Sequence, residues 1–268
     1  MKIGLAQLNS VDDLNENFKS IVRLIEIAKV DKPELIIFPE NSLYFRLDTH
    51  SKVKAIKMSD PILLDLQRIS DQTKIALHLT TAVEDADNKI FNASILIQAG
   101  KQPIIIYRKV HLFDISLKDQ KPIRESDSFL NGNEPTIFEL NGFKFGSSIC
   151  YDIRFSELYS FYAKEQVDVI LVPAAFLVKT GQAHWEVLLR ARAIESQCYI
   201  LAPAQAGKHV SSQTGAQRET YGNTMAIDPW GQILVQKSSE VGLVFIDIKK
   251  SEIEAVRRQI PMSDHRRL

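Results

Sequence analysis

The stretch ELIIFPEN, residues 34–41, decides the fold of this chain. Leu35, Ile36, Ile37 and Phe38 form an unbroken apolar run between Pro33 and Pro39. A run this short, bounded by prolines and lacking alternation, reads as a strand buried on both faces. Such strands belong to parallel sheets covered by helices. Upstream, Leu14, Phe18, Ile21, Val22, Ile25 and Ala28 recur at helical spacing, with Asp12 or Asp13 placed to cap the helix. The signature returns at DVILVP, residues 168–173, where a helix expected over 154–166 leads into an apolar strand ending at Pro173. The pairs 13–38 and 154–173 therefore read as a weak internal duplication, best housed in two sheets with helices on their outer faces.

The remaining elements extend outward from these two units. Residues 2–8 read as a first strand, and Asp60 with Pro61 opens a helix over 60–72. Segments 75–84, 89–99 and 104–111 are β-rich, and 112–135 is polar and irregular. A connection that long is usually functional. Strands at 136–140 and 143–149 flank Asn141 and Gly142, a hairpin signal. A helix over 182–197 precedes strands at 199–205, 223–228, 232–237 and 242–247, and a last helix starts near Lys250. Asp228, Pro229, Trp230 and Gly231 suit a type I turn. The polar stretch 207–220 reads as a lid or a surface loop. No linker divides the chain, so residues 1–268 are expected to form a single domain.

Composition narrows the function. The 268 residues are 45% hydrophobic, enough for a large core, and carry 33 basic and 33 acidic side chains. That balance offers no electrostatic footprint for nucleic acid or an anionic membrane. No apolar run reaches membrane-spanning length, and the opening residues do not form a secretory leader. Cys150 and Cys198 are thus expected to be free thiols in the cytoplasm. Asn92, Ala93 and Ser94 match a glycosylation sequon, which in such a compartment is an accident. The six histidines form no HExxH, no CxxC pair occurs, and neither GxGxxG nor GxxxxGK[ST] is present. A metal site or a nucleotide cradle therefore lacks a motif. GSSIC at 146–150 is not a GxSxG elbow.

Three residue types can carry chemistry. Cys150 ends a strand and precedes the turn-helix CYDIRFSEL, where a helix N-terminus would favour thiolate. On position alone, a packed core cysteine is the stronger reading, since cysteine is among the most buried residues. Glu40 follows the 34–38 strand, at the strand end where α/β proteins place their sites. Alone it reads as a solvated loop acid. Lys109 sits among apolar neighbours in IIIYRKVHLF, where a lysine is either a strand-edge residue or a paired charge, and Arg108 is an equal candidate by periodicity. Paired with a carboxylate beside a thiol, such a lysine would lower the thiol pKa and hold an oxyanion.

Taken together, LIIFPEN at 35–41, YRKVHLFD at 107–114 and ICYDIRFSELY at 149–159 resemble the nitrilase (carbon–nitrogen hydrolase) superfamily, with Glu40, Lys109 and Cys150 in the family's order. Residues 180–209 and YGNTMAIDPWG at 221–231 resemble the branch holding deaminated glutathione amidases, with omega-amidases the nearest alternative. The resemblance covers nearly the whole chain. Ser156 departs from the usual proline of the cysteine turn, and Asn223 with Thr224 replaces the usual His-Ser.

The resemblance implies an α/β four-layer α-β-β-α sandwich with two mixed sheets. It promotes Glu125, in RESDSFLNGNEP, to a second catalytic glutamate. It implies hydrolysis of a primary amide of a small carboxylate-bearing substrate to acid and ammonia. Glu40 would be the base, Cys150 the nucleophile, and Lys109 with the Tyr151 N–H the oxyanion donors. Arg154, Thr180 or backbone N–H groups at 174–177 would receive the carboxylate. No metal or organic cofactor is required. Other readings are a nitrile-cleaving enzyme, or a protein of this fold that binds a partner without turnover. A homodimer through the outer helical layer is expected, with the 182–197 helix in its interface. Ala183, Val187, Ala191, Ile194 and Cys198 mark an apolar stripe there that would otherwise pack as core.

Overall fold

The computed structural model of the chain describes residues 1–48, 51–116 and 122–267. In order come β1 (Lys2–Gln7), α1 (Leu14–Ala28), β2 (Leu35–Ile37), α2 (Pro61–Thr73), β3 (Ala76–Glu84), β4 (Ile90–Ile97) and β5 (Ile104–Arg108). The irregular stretch carries the short strands β6 (Asp114–Ile115) and β7 (Ile123–Arg124) and a 3-10 turn at Glu125–Asp127. Next are β8 (Ile137–Leu140), β9 (Phe143–Ser147), a 3-10 turn at Cys150–Arg154, α3 (Ser156–Lys164), β10 (Val169–Leu171), α4 (Val178–Ser196) and β11 (Tyr199–Ala202). The chain continues through β12 (Ala206–Val210), β13 (Gln217–Tyr221), β14 (Thr224–Ile227), β15 (Ile233–Lys237), β16 (Gly242–Asp247) and α5 (Lys250–Gln259).

The strands form two mixed six-stranded sheets, ordered β16-β1-β2-β3-β4-β5 and β15-β14-β11-β10-β9-β8. Each has a parallel centre, β1-β2-β3 or β9-β10-β11, with one antiparallel strand on one side and two on the other. The duplication read from 13–38 and 154–173 is therefore a duplication of sheet topology.

Three apolar layers hold the sheets and helices together. Ile3, Leu5, Leu35 and Ile37 of the first sheet meet Phe145, Val169, Leu171 and Leu201 of the second. Ile21 and Ile25 of α1 and Leu63 and Leu66 of α2 cover the first sheet's outer face. Leu158 and Tyr162 of α3, with Trp185 and Leu189 of α4, cover the second. The result is the four-layer sandwich in one domain. Among the described residues no helix is long and apolar enough to cross a membrane.

Local signals account for several element ends. The Asp13 side chain accepts from the N–H groups of Asn15 and Glu16, and Asp60 caps α2 with Pro61 in its first turn. Asn141 and Gly142 both have positive φ, 49° and 78°, as a two-residue hairpin requires. The Gly231 N–H closes the predicted turn onto the Asp228 carbonyl at 3.0 Å.

Three expectations are corrected. The helix predicted over about 154–166 is α3, Ser156–Lys164, and a separate 3-10 turn at Cys150–Arg154, opened by Cys150 at φ 51°, precedes it. The helix predicted over 182–197 starts at Val178. Its buried face is Gly181, Trp185, Leu189, Arg192, Ala193 and Ser196, while Ala183, Val187 and Ile194 of the predicted stripe face outward. Residues 206–221 form the β12–β13 hairpin, paired from Ala206–Tyr221 to Val210–Gln217.

Candidate active site

The ends of the parallel strands converge, and four predicted side chains meet there. Glu40 follows β2 and is 3% exposed; Lys109 directly follows β5 and is 2% exposed. Backbone bonds fix both turns. Lys109 N–H donates to the Asn92 carbonyl at 2.8 Å, and Ser42 N–H to the Thr80 carbonyl at 2.9 Å. Glu125 opens the 3-10 turn of the long irregular segment. Cys150 opens the turn after β9, its N–H donating to the Pro173 carbonyl at 3.0 Å.

Lys109 is the hub of this cluster. Its Nζ donates to Glu40 Oε1 at 2.8 Å and to Glu125 Oε2 and Oε1 at 2.8 and 3.1 Å. Asn92 Nδ2 bridges the same carboxylates, at 2.8 Å to Glu40 Oε1 and 3.0 Å to Glu125 Oε1. Glu40 Oε2 accepts from the Ala175 N–H at 3.0 Å, and Glu125 Oε2 from the Phe113 N–H at 2.7 Å. Arg108, the rival by periodicity, lies outside the cluster, its guanidinium 4.6 Å over the Phe91 ring.

Electrostatics follow from burial and pairing. Burial alone would lower the Lys109 pKa, but the charges of Glu125 and Glu40 hold it well above the ordinary value. Burial would raise Glu125, yet Lys109 holds it below the usual carboxylate range. The Cys150 thiol stands well above its ordinary value, because burial and the Glu40 carboxylate outweigh the opposing Lys109 charge. This corrects the expectation of a lowered thiol pKa: burial and the neighbouring carboxylate favour the neutral Cys150 thiol.

Asn92, read in the sequence only as part of a sequon, and Asp152, not singled out there, both take part in this arrangement. Asp152 is fully buried and braces the cysteine turn. Its Oδ2 accepts from Ile149 N–H at 2.9 Å and from Tyr107 Oη at 2.8 Å. Its Oδ1 accepts from His111 N–H at 2.9 Å and meets His111 Nδ1 at 2.7 Å. A polar residue inside the apolar strand IFNASILI was the available signal for Asn92. Asp152, two residues past a candidate nucleophile, had none.

A cavity of about 570 Å³ opens onto the cluster, lined by Glu40, Lys109, Glu125 and Cys150 together with Tyr151 and Thr180. The Thr180 hydroxyl bonds the Leu177 carbonyl at 3.3 Å in the first turn of α4. Arg154 is not among the lining residues. It bonds His184 at 3.1 Å, and its guanidinium lies over the rings of Tyr151 and Phe176. The Ala175 N–H, one of the expected carboxylate donors, is engaged by Glu40.

A two-sheet sandwich with a buried thiol, a lysine and two carboxylates at its strand ends defines a class, the nitrilase-type amide hydrolases. Residues 2–258 match the carbon–nitrogen hydrolase family model. A deaminated glutathione amidase of Synechocystis is 36% identical over 265 residues, covering 97% of this chain and 96% of its own. The Dictyostelium discoideum deaminated glutathione amidase is 32% identical over 278 residues, covering 100% of this chain and 94% of its own. The crystal structure of the Caenorhabditis elegans nitrilase and fragile histidine triad fusion protein superposes with a TM-score of 0.85 at 31% identity, covering 99% of this chain and 65% of that one. The chain belongs to the carbon–nitrogen hydrolase (nitrilase) superfamily. It is an amidase of that superfamily, acting on amides other than peptide bonds.

Proposed function

We propose that this amidase hydrolyses the amide of a small carboxylate-bearing substrate through a thioester at Cys150. The observation that carries the reading is the pair of buried carboxylates joined by one Lys109 Nζ next to the thiol. Glu40 accepts the thiol proton as Sγ attacks the amide carbon. A lysine ammonium has three N–H donors. Two of them face Glu40 and Glu125, which leaves one, with the Tyr151 N–H, for the oxyanion. One such donor is typically worth about 3–4 kcal/mol of barrier. As the C–N bond breaks, Glu40 returns the proton to the departing nitrogen. Water then attacks the thioester with Glu40 again as base, and the acid leaves. Glu125 keeps Lys109 charged and aimed.

A deaminated glutathione is the first substrate to test, because the full-length relatives act on it by name. The amides of glutathione are secondary, so that substrate would release an amine-bearing peptide rather than ammonia. A primary amide such as 2-oxoglutaramate, the omega-amidase type, would release ammonia. The test is a panel of deaminated glutathione, 2-oxoglutaramate, an aliphatic amide and its matching nitrile, with both acid and nitrogen products measured. Deaminated glutathione is expected to lead, and Cys150→Ala to reduce every rate by at least about 10⁴-fold. Turnover surviving in Cys150→Ala would remove the nucleophile assignment, and preference for the nitrile would remove the amide reading.

The outward stripe on α4 supports a homodimer. Val187 and Ile194 are 61% and 49% exposed, and Trp230 beside them is 55% exposed.

A further inference from the structure

The cavity has a second set of charges beside the reacting cluster. Arg46, from the segment following Glu40, and Arg218, from β13, both line it. Arg218 Nη1 donates to the Arg46 carbonyl at 3.1 Å, and the Arg218 guanidinium lies 4.9 Å over the Phe45 ring. Arg46 Nη1 donates to Ser128 Oγ at 2.9 Å. All of these partners are neutral. Asp48 faces the same cavity, and Arg124, Asp127 and Glu219 stand at its exposed rim. Even so, among the described residues no carboxylate lies within ion-pair distance of either half-buried guanidinium.

Holding two like charges partly out of water with neutral partners is costly. Burial and the adjacent Arg46 charge act against the Arg218 cation and outweigh the more distant support of the Glu40 and Glu125 carboxylates, neither of which forms an ion pair with it. An anion between the two would offset that cost, and a guanidinium fork matches the two oxygens of a carboxylate. The hairpin is firmly seated to deliver Arg218. His209 of β12 bonds the Ser10 carbonyl and the Thr220 hydroxyl, each at 2.7 Å, and Ser211 Oγ donates to Asp12 Oδ2 at 2.8 Å.

We propose that Arg46 and Arg218 form the subsite that recognises the substrate's carboxylate, which makes them specificity-determining residues of this amidase. The proposal rests on the carboxylate-bearing amide reading above. Succinamate and butanamide test it, since they share a primary amide and chain length and differ in the terminal carboxylate. Native enzyme should prefer succinamate by at least about tenfold in kcat/KM. In Arg218→Gln and Arg46→Gln that preference should collapse by about 10- to 100-fold, chiefly through KM. Arg218→Lys keeps the charge without the fork, and should retain an intermediate preference. A preference unchanged in the Gln variants, with both rates falling together, would overturn the subsite, as would equal native rates on the two amides. If native enzyme cleaves neither amide and no carboxylated amide of the panel above, the substrate reading is what fails. The subsite is then read directly by calorimetry of succinate binding to Cys150→Ala. Tenfold or greater weakening on adding Arg218→Gln, with Arg218→Lys between it and the unsubstituted subsite, supports it, and unchanged affinity in Arg218→Gln overturns it.

Discussion

At the scale of single residues, the site depends on burying charge in compensated pairs. Lys109 with Glu40 and Glu125 is such a group. Forming a buried pair gains little, but removing one partner leaves the others uncompensated and typically costs about 3–5 kcal/mol. Lys109→Met should therefore lose that much in urea unfolding as well as activity, and adding Glu125→Gln should restore part of the stability. A stability within about 0.5 kcal/mol of native would show that the cluster is not charged as described. Two buried histidines set a second expectation. His78 is pushed down to about 3 by burial and has no partner for either ring nitrogen; burial likewise pushes His209 down to about 4. Both values lie below the ordinary one near 6.5, so unfolded chains bind more protons between these limits. The stability present above pH 6.5 is then lost as pH falls toward 4, at up to about 2.7 kcal/mol per pH unit when both titrate. Urea midpoints taken from pH 7 to 5 should fall accordingly, and His78→Leu should flatten the slope by about one proton. An unchanged slope in that variant would show that His78 takes no part.

At the scale of elements, local signals and long-range ones separate cleanly. Strand spans, the caps at Asp13 and Asp60 and the Asn141–Gly142 hairpin were legible because each depends on neighbours in sequence. Glu40, Lys109, Glu125 and Cys150 were legible through the family's motif order; without it, each was outweighed by a bland alternative. Asn92, Asp152 and Arg218 were not, since their partners arrive from distant segments. Nor did the β12–β13 hairpin show itself, as buried positions in its strands carry the polar His209 and Thr220 rather than an apolar alternation. Gly181 in α4 illustrates the same division. Sequence alone favours Gly181→Ala, which in a helix gains about 1 kcal/mol. Here the added Cβ would lie 2.3 Å from Cγ of Tyr221 and 2.5 Å from its Cβ, atoms that cannot swing aside. Overpacking of that kind costs about 1–3 kcal/mol, so a net loss is expected in urea unfolding. Because Tyr221 ends the strand bearing Arg218, KM for a carboxylated amide should rise as well. Equal or greater stability would mean that the hairpin yields without cost.

At the scale of the whole molecule, the repeated sheet topology places the ends of both parallel strand sets around one cavity. It also leaves one outer surface unusual. α3 and α4 cover the second sheet, but α4 is apolar on two faces: Trp185, Leu189 and Ala193 point inward while Val187 and Ile194 point outward. The turn after β14 extends that outer patch, as Arg190 Nε donates to the Gly231 carbonyl at 2.9 Å and Trp230 stands exposed beside it. Single exposed apolar residues are ordinary, but a clustered set on a rigid helix marks an interaction surface. A second copy of the same face would be self-complementary about a two-fold axis. Sedimentation velocity at micromolar concentration should therefore give a dimer. Val187→Asp with Ile194→Asp would place charges in the contact, and an unpaired charge buried there should weaken association by at least about 100-fold. Both side chains are solvent-exposed in the single chain, so the double variant should still fold and unfold cooperatively, its urea midpoint lowered only by the loss of the stabilisation that association adds. A folded monomer is the expected result. A dimer that survives both charges would place the interface elsewhere, and a monomeric native chain would leave the stripe free for a different partner.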